Sequence, residues 1–182
     1  MKYLDRFEEI IISFLMGAAT LLIFVAVVHR YAAGWPIPGV QDALIKFDLS
    51  WAQELCIYMF VWMAKFGAAY GVRTGIHVGV DVLINLLPPR WQKSYVMFGL
   101  LAGAFFTAII GSFGAVFTWD MAHTDQTSPD LEIPKWIVYL CIPLGSYLMS
   151  FRFLQVAWGF WRTGTLPVHD QAYVEGVAGA RP

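Results

Sequence analysis

The sequence predicts an all-α membrane protein of four transmembrane helices, on three observations. Hydrophobic residues make up 58% and charged residues only 14% of the 182-residue chain, and its mean hydropathy of +0.59 is well above that of a soluble domain. Four stretches stay apolar over the ~20 residues that a helix needs to cross a hydrocarbon core about 30 Å thick. Seven of the eight tryptophans (Trp35, Trp51, Trp91, Trp119, Trp136, Trp158 and Trp161) fall at or near the ends of those stretches, leaving Trp62 inside. The amphipathic indole favours the membrane interface, so the tryptophans mark the same boundaries that hydropathy marks.

The first span is expected over about residues 10–31, because Ile10 to Val28 carries no charge. It is longer than a secretory signal core and lacks a clear small-residue cleavage site, so it reads as a retained anchor. The second, about 51–72, is interrupted only by Lys65, and the third, about 94–119, is uncharged. The fourth, about 134–160, is uncharged from Trp136 to Phe151 and continues past Arg152 toward Trp161.

Thr74 to Leu87 is too short to cross and is closed by Pro88 and Pro89. Read as a helix over about 74–87, it continues a polar row from Arg73 through His77, Asp81 and Asn85 at four-residue intervals. Ile76, Val80, Leu83, Leu86 and Leu87 lie mostly elsewhere, the pattern of a helix lying flat among headgroups. Gly75 and Gly79 lower its helix propensity. Residues 1–161 form a single four-helix domain, and 162–182, with Gly164, Pro167, Gly176, Gly179 and Pro182, read as a loose tail.

Positively charged loops are retained in the cytoplasm. With the N-terminus inside, the inner segments hold Lys2, Arg6, Arg73, Arg90, Lys93, Arg152, Arg162 and Arg181, against Arg30, Lys46 and Lys135 outside. Eight against three places both termini in the cytoplasm.

Several function classes are poorly supplied. A net charge of −1 provides no basic field for nucleic acid. Cys56 and Cys141 sit in apolar stretches with no metal spacing, and no nucleotide loop, nucleophile elbow or zinc motif is present. A membrane redox subunit needs facing axial ligands, whereas His29, His77 and His123 fall at span ends and His169 in the tail. Asp120, His123 and Asp125 read as an exposed loop in preference to a cation site. The expectation is no catalytic residue, metal or cofactor in this chain.

Ionisable groups inside a span are costly, which singles out Lys65. Glu54 lies eleven residues earlier, within about 20° on the same face but about 16 Å away along the axis, with Tyr58 between them. Either this face finds its counter-charges on a second membrane protein, or Glu54 sits at the outer interface and Lys65 snorkels about 10 Å toward the cytoplasmic end. Arg73, His77 and Asp81 read as a ladder for a partner or headgroups, or as an ordinary solvated face. Arg152 reads as a snorkelling cation in preference to a substrate clamp. In the third span Gly99, Gly103, Thr107 and Gly111 recur at four-residue spacing, continued by Ala115. Such a row lets helix backbones approach, within this protein first and against a partner second.

The ordered set Ser50-Trp51-Ala52-Gln53-Glu54-Leu55, Phe60-Val61-Trp62, Phe66-Gly67-Ala68-Ala69-Tyr70-Gly71-Val72-Arg73 and Gly75-Ile76-His77-Val78-Gly79-Val80-Asp81 resembles the signature region of the DctQ-type small subunit of tripartite ATP-independent periplasmic (TRAP) transporters. Val28-His29-Arg30-Tyr31 and Ile142-Pro143-Leu144-Gly145 with Arg152 extend the resemblance to nearly the whole chain apart from the tail. It implies an inner-membrane scaffold subunit bound to a large multi-span subunit that holds the substrate and sodium sites, fed by a periplasmic binding protein, with phospholipids around it. It also implies sodium symport of an organic acid, and the Tyr70-to-His77 run is most similar to members for C4-dicarboxylates. Lys65 departs from the apolar or small residue of the family's second span. A self-sufficient small channel or transporter is the competing reading, weakened by the lack of an inverted repeat of broken helices.

Overall fold

The computed structural model describes residues 2–34, 44, 46–74 and 88–164, with the side chains of 2–5 and 89–90 left aside. The expected interfacial helix, with His77 and Asp81, and most of the tail lie outside the described residues. Within them the chain is helical: α1 (Lys2–Ala33), α2 (Ser50–Thr74), α3 (Pro89–Ala122), a short α4 (Lys135–Tyr139) and α5 (Cys141–Thr163). Among the described residues four helices are long and apolar enough to cross a membrane, the fourth being α4 and α5 together.

The helices run past the apolar windows. α1 starts eight residues before Ile10 and α3 five before Ser94, because backbone hydrogen bonding carries a helix on through polar turns outside the hydrocarbon. α3 opens on Pro89, whose missing N–H costs nothing in a first turn. α5 closes on Gly164, left-handed at φ 69°, whose N–H reaches the Phe160 carbonyl at 2.8 Å.

The fourth span is interrupted at Leu140. Pro143 supplies the reason, since it has no N–H for the Tyr139 carbonyl and its ring crowds that oxygen. The hydroxyl of buried Thr118 in α3, 2.7 Å from the Gly114 carbonyl, also reaches the Tyr139 carbonyl at 3.4 Å. Leu140 itself stays in helical conformation, so the axis continues into α5.

In space, α1 packs on α2, α2 on α5, and α5 on α3. Only 6% of the most apolar part of the first span is buried, against 39% for the fourth, which places α5 inside the row and α1 at its edge. Small residues set the close contacts. A Cβ at Gly103 would stand 2.9 Å from Phe153, at Gly111 3.1 Å from Tyr147, and at Gly114 2.6 Å from Ile142. Thr107 is buried beside them, and Ser150 donates across from α5 to the Ala104 carbonyl at 2.8 Å. Gly103, Thr107 and Gly111 therefore pack within this chain, whereas Gly99 faces open space. Val72, Ala104 and Phe153 form the centre of the small core, with Leu100 and Met149 against it.

Candidate functional site

At the start of α2, Asp48 accepts the Ser50 N–H and the Ser50 hydroxyl, both at 2.9 Å. The backbone bond, followed by the hydroxyl, holds the Asp48 carboxyl below the usual carboxylate range. One turn on, Glu54 is 8% exposed. Its Oε2 accepts the N–H groups of Asp130 and Leu131 at 2.9 Å each, and its Oε1 accepts the Tyr58 hydroxyl. The loop it grips is folded on itself: Ser128 donates to the Ile133 carbonyl at 2.9 Å and Lys135 to the Gln126 carbonyl at 3.0 Å, with Glu132 in a left-handed conformation. Glu54 is thus satisfied by donors of its own chain, and Tyr58 is one of them. Trp51, at the same end, is 38% exposed.

The opposite end carries two ion pairs from adjacent residues of α1. Glu8 meets Arg152 of α5 at two points, with Nε donating to Oε1 at 3.1 Å and Nη2 lying 2.8 Å from Oε2. Both side chains are almost wholly buried, and a further guanidinium nitrogen donates to Gln155 at 2.7 Å. Glu9 lies 3.8 Å from Arg73 of α2, whose guanidinium also stands 5.7 Å from the Tyr70 ring. Arg152 therefore does not snorkel, as its sequence position had suggested. A guanidinium with a carboxylate in reach gains more from a two-point bond than from stretching to water.

Lys65 is half-buried and packs on Gly145, where a Cβ would fall 2.6 Å from the lysine Cβ.

The model of the DctQ component of tripartite ATP-independent periplasmic transporters matches residues 19–163. The C4-dicarboxylate TRAP transporter small permease protein DctQ of Rhodobacter capsulatus is 52% identical over 195 residues, covering 97% of this chain and 86% of the relative. This chain belongs to the DctQ family.

The same-named protein of Vibrio cholerae is 32% identical, over 86% of this chain and 72% of its own length. The isethionate TRAP transporter permease protein DctMQ of Oleidesulfovibrio alaskensis is 23% identical over 85% of this chain, which corresponds to 24% of that relative. The DctQ-family chain is accordingly a multi-pass transport protein, not an enzyme.

Sequence reasoning missed Glu8 and Glu9. The signal was a pair of carboxylates one step before the first uncharged run, in a chain with an arginine inside another span that needs a counter-charge. Gly114 and Gly145 were missed because they fall outside the four-residue row, although they make the tightest approaches.

Proposed function

We propose that this DctQ-family chain is the small, supporting permease subunit of an inner-membrane transporter for C4-dicarboxylates, with both termini in the cytoplasm. A large multi-span subunit carries the substrate and sodium sites, and a periplasmic binding protein delivers substrate to it. The observation that carries this reading is the 52% identity to the R. capsulatus small permease protein across 97% of the chain. The open row of helices supports it, since surfaces left uncovered on α1 and α2 suit a support for a second membrane protein better than an enclosed path. That the DctMQ relative is about four times longer than its matched part fits a small unit working with a larger permease part.

In this arrangement Trp51, Lys65, Arg73, His77 and Asp81 belong to the partner-facing or lipid-facing surface. Glu54, Tyr58 and Arg152 act from behind it, by holding the periplasmic loop and the edge helix in place. The two ion pairs of α1 fit this placement, because Glu8 and Glu9 fall at the same end as Arg73 and Arg152.

Reconstitution tests the proposal. Proteoliposomes holding this chain, its genomically adjacent large permease and the binding protein should accumulate labelled succinate under an inward sodium gradient, and those lacking this chain should not. Accumulation by this chain alone would replace the supporting role with a self-sufficient transporter.

A further inference from the structure

A cleft of about 660 Å³ lies between the first turns of α3 and the last turns of α5, within the ~300–1,000 Å³ of ligand-sized pockets. Lys93, Ser94 and Arg162 stand at its mouth, and Phe98, Leu101 and Trp161 line it further along. Lys93 reaches the end of α5: its ammonium lies 3.8 Å from where a Cβ on Gly164 would stand. Arg162 is steered by the Trp158 ring, 5.0 Å from its guanidinium carbon. Among the described residues, the two cations share the cleft with no lining carboxylate.

The order of these residues along α3 is informative. Phe98 and Leu101 follow Lys93 by five and eight residues, about 7.5 and 12 Å deeper into the membrane at helical rise. Cations and a hydroxyl at the mouth, an indole at the interface and an apolar slot beneath them complement an amphiphile with an anionic head. A soluble anion would have no use for the slot, and a zwitterionic lipid would set its own ammonium beside two cations.

The geometry points to a binding site for an anionic phospholipid, its phosphodiester between Lys93 and Arg162 and an acyl chain along Phe98 and Leu101. This site stands apart from the transport reading and involves none of the surfaces assigned to partner subunits.

The test is native mass spectrometry of the full chain in detergent, titrated with dioleoyl phosphatidylglycerol or dioleoyl phosphatidylcholine. Phosphatidylglycerol should bind preferentially. Lys93→Gln or Arg162→Gln should weaken it about fivefold each and the pair about thirtyfold, from roughly 1 kcal/mol per basic residue. Lys93→Arg should retain binding, and Leu101→Trp should weaken it by filling the slot. These single variants decide the matter even where the double variant fails to fold. Equal binding of the two lipids, or unchanged binding in the glutamine variants, overturns the site. Displacement of the lipid by equimolar glycerophosphoglycerol, which has no acyl chains, would reduce it to an anion pocket and also overturn it.

Discussion

Glu8 and Arg152 stand 144 residues apart in sequence and meet as a buried two-point ion pair that ties the edge helix α1 to the inner helix α5. Little apolar burial holds α1 in place, since the apolar window of the first span is only 6% buried. In lipid, apolar burial gives little drive for helices to associate, so polar contacts and close packing must specify where α1 sits. The Cys56 thiol on the Ala19 carbonyl at 3.6 Å and the Glu9 contact with Arg73 complete that attachment.

Removing one member of the buried pair should therefore cost more than removing both. Arg152→Leu or Glu8→Leu alone leaves an uncompensated buried charge, worth about 3–5 kcal/mol. The double leucine variant should recover a large part of that. Thermal unfolding in detergent micelles, followed by tryptophan fluorescence, measures the ordering, and additive losses would show that the two groups do not act as a pair.

Glu54 should control the order of the 126–135 loop. Glu54→Gln keeps an oxygen that can face the loop N–H groups while its amide donates to the Tyr58 hydroxyl, so the two loop bonds lose their charge assistance and keep an acceptor. A hydrogen bond to a charged acceptor is roughly twice as strong as a neutral one. Hydrogen–deuterium exchange at Asp130 and Leu131 should speed up in Glu54→Gln and much less in Tyr58→Phe, which removes only one donor.

The spans were legible because apolar length and tryptophan placement answer directly to the bilayer. The fourth span shows the limit of that reading: Pro143 was in view, yet the interruption falls at Leu140, three residues earlier, beside the Tyr139 carbonyl that Pro143 cannot serve and the Thr118 hydroxyl reaches. Partnerships between charges were not legible. Arg152 looked like a lone cation because nothing in a linear pattern brings Glu8 to it, and Glu54 stayed open between a partner contact and the outer interface because its acceptance of backbone N–H groups depends on a loop fold that side-chain pattern does not encode. The glycine row revealed Gly103 and Gly111 by their periodicity, but Gly145 acts alone, opposite a residue of another helix.

Acid should loosen the start of α2. The Asp48 carboxyl titrates below its unfolded value, so the unfolded chain binds the proton more readily at low pH. Its contribution is fully present above the unfolded value, about pH 4, and is lost as pH falls through the lower folded value. Exchange at the Ser50 amide should rise over that interval, relative to the intrinsic rate, and Asp48→Asn should remove the pH dependence while keeping an acceptor for the Ser50 N–H.

Gly145 should be the least replaceable glycine of α5. Its added Cβ would meet the Lys65 Cβ at 2.6 Å, an atom fixed to the α2 backbone that cannot swing away, so the helices must part. Gly145→Ala is expected to cost about 1–3 kcal/mol. Gly99→Ala, into open space, should cost nothing and gain roughly 0.5–1 kcal/mol in helix propensity. Melting temperatures of the two variants in one detergent give the comparison, and equal values would disprove the close approach of α2 and α5.

Lys65 separates stability from assembly. Among the described residues its ammonium has no hydrogen-bond or ion-pair partner, and its stem packs against Gly145 of α5. Lys65→Leu keeps the stem's volume and removes a charge that is costly at membrane depth, so the isolated chain should melt at the same temperature or higher. If the ammonium meets a carboxylate of the large permease, the same variant should co-purify less of that subunit and lower succinate uptake, and Lys65→Arg should restore part of both. Normal assembly and uptake by Lys65→Leu would leave the lysine as a tolerated charge, with the partner contact carried by its neighbours on α2.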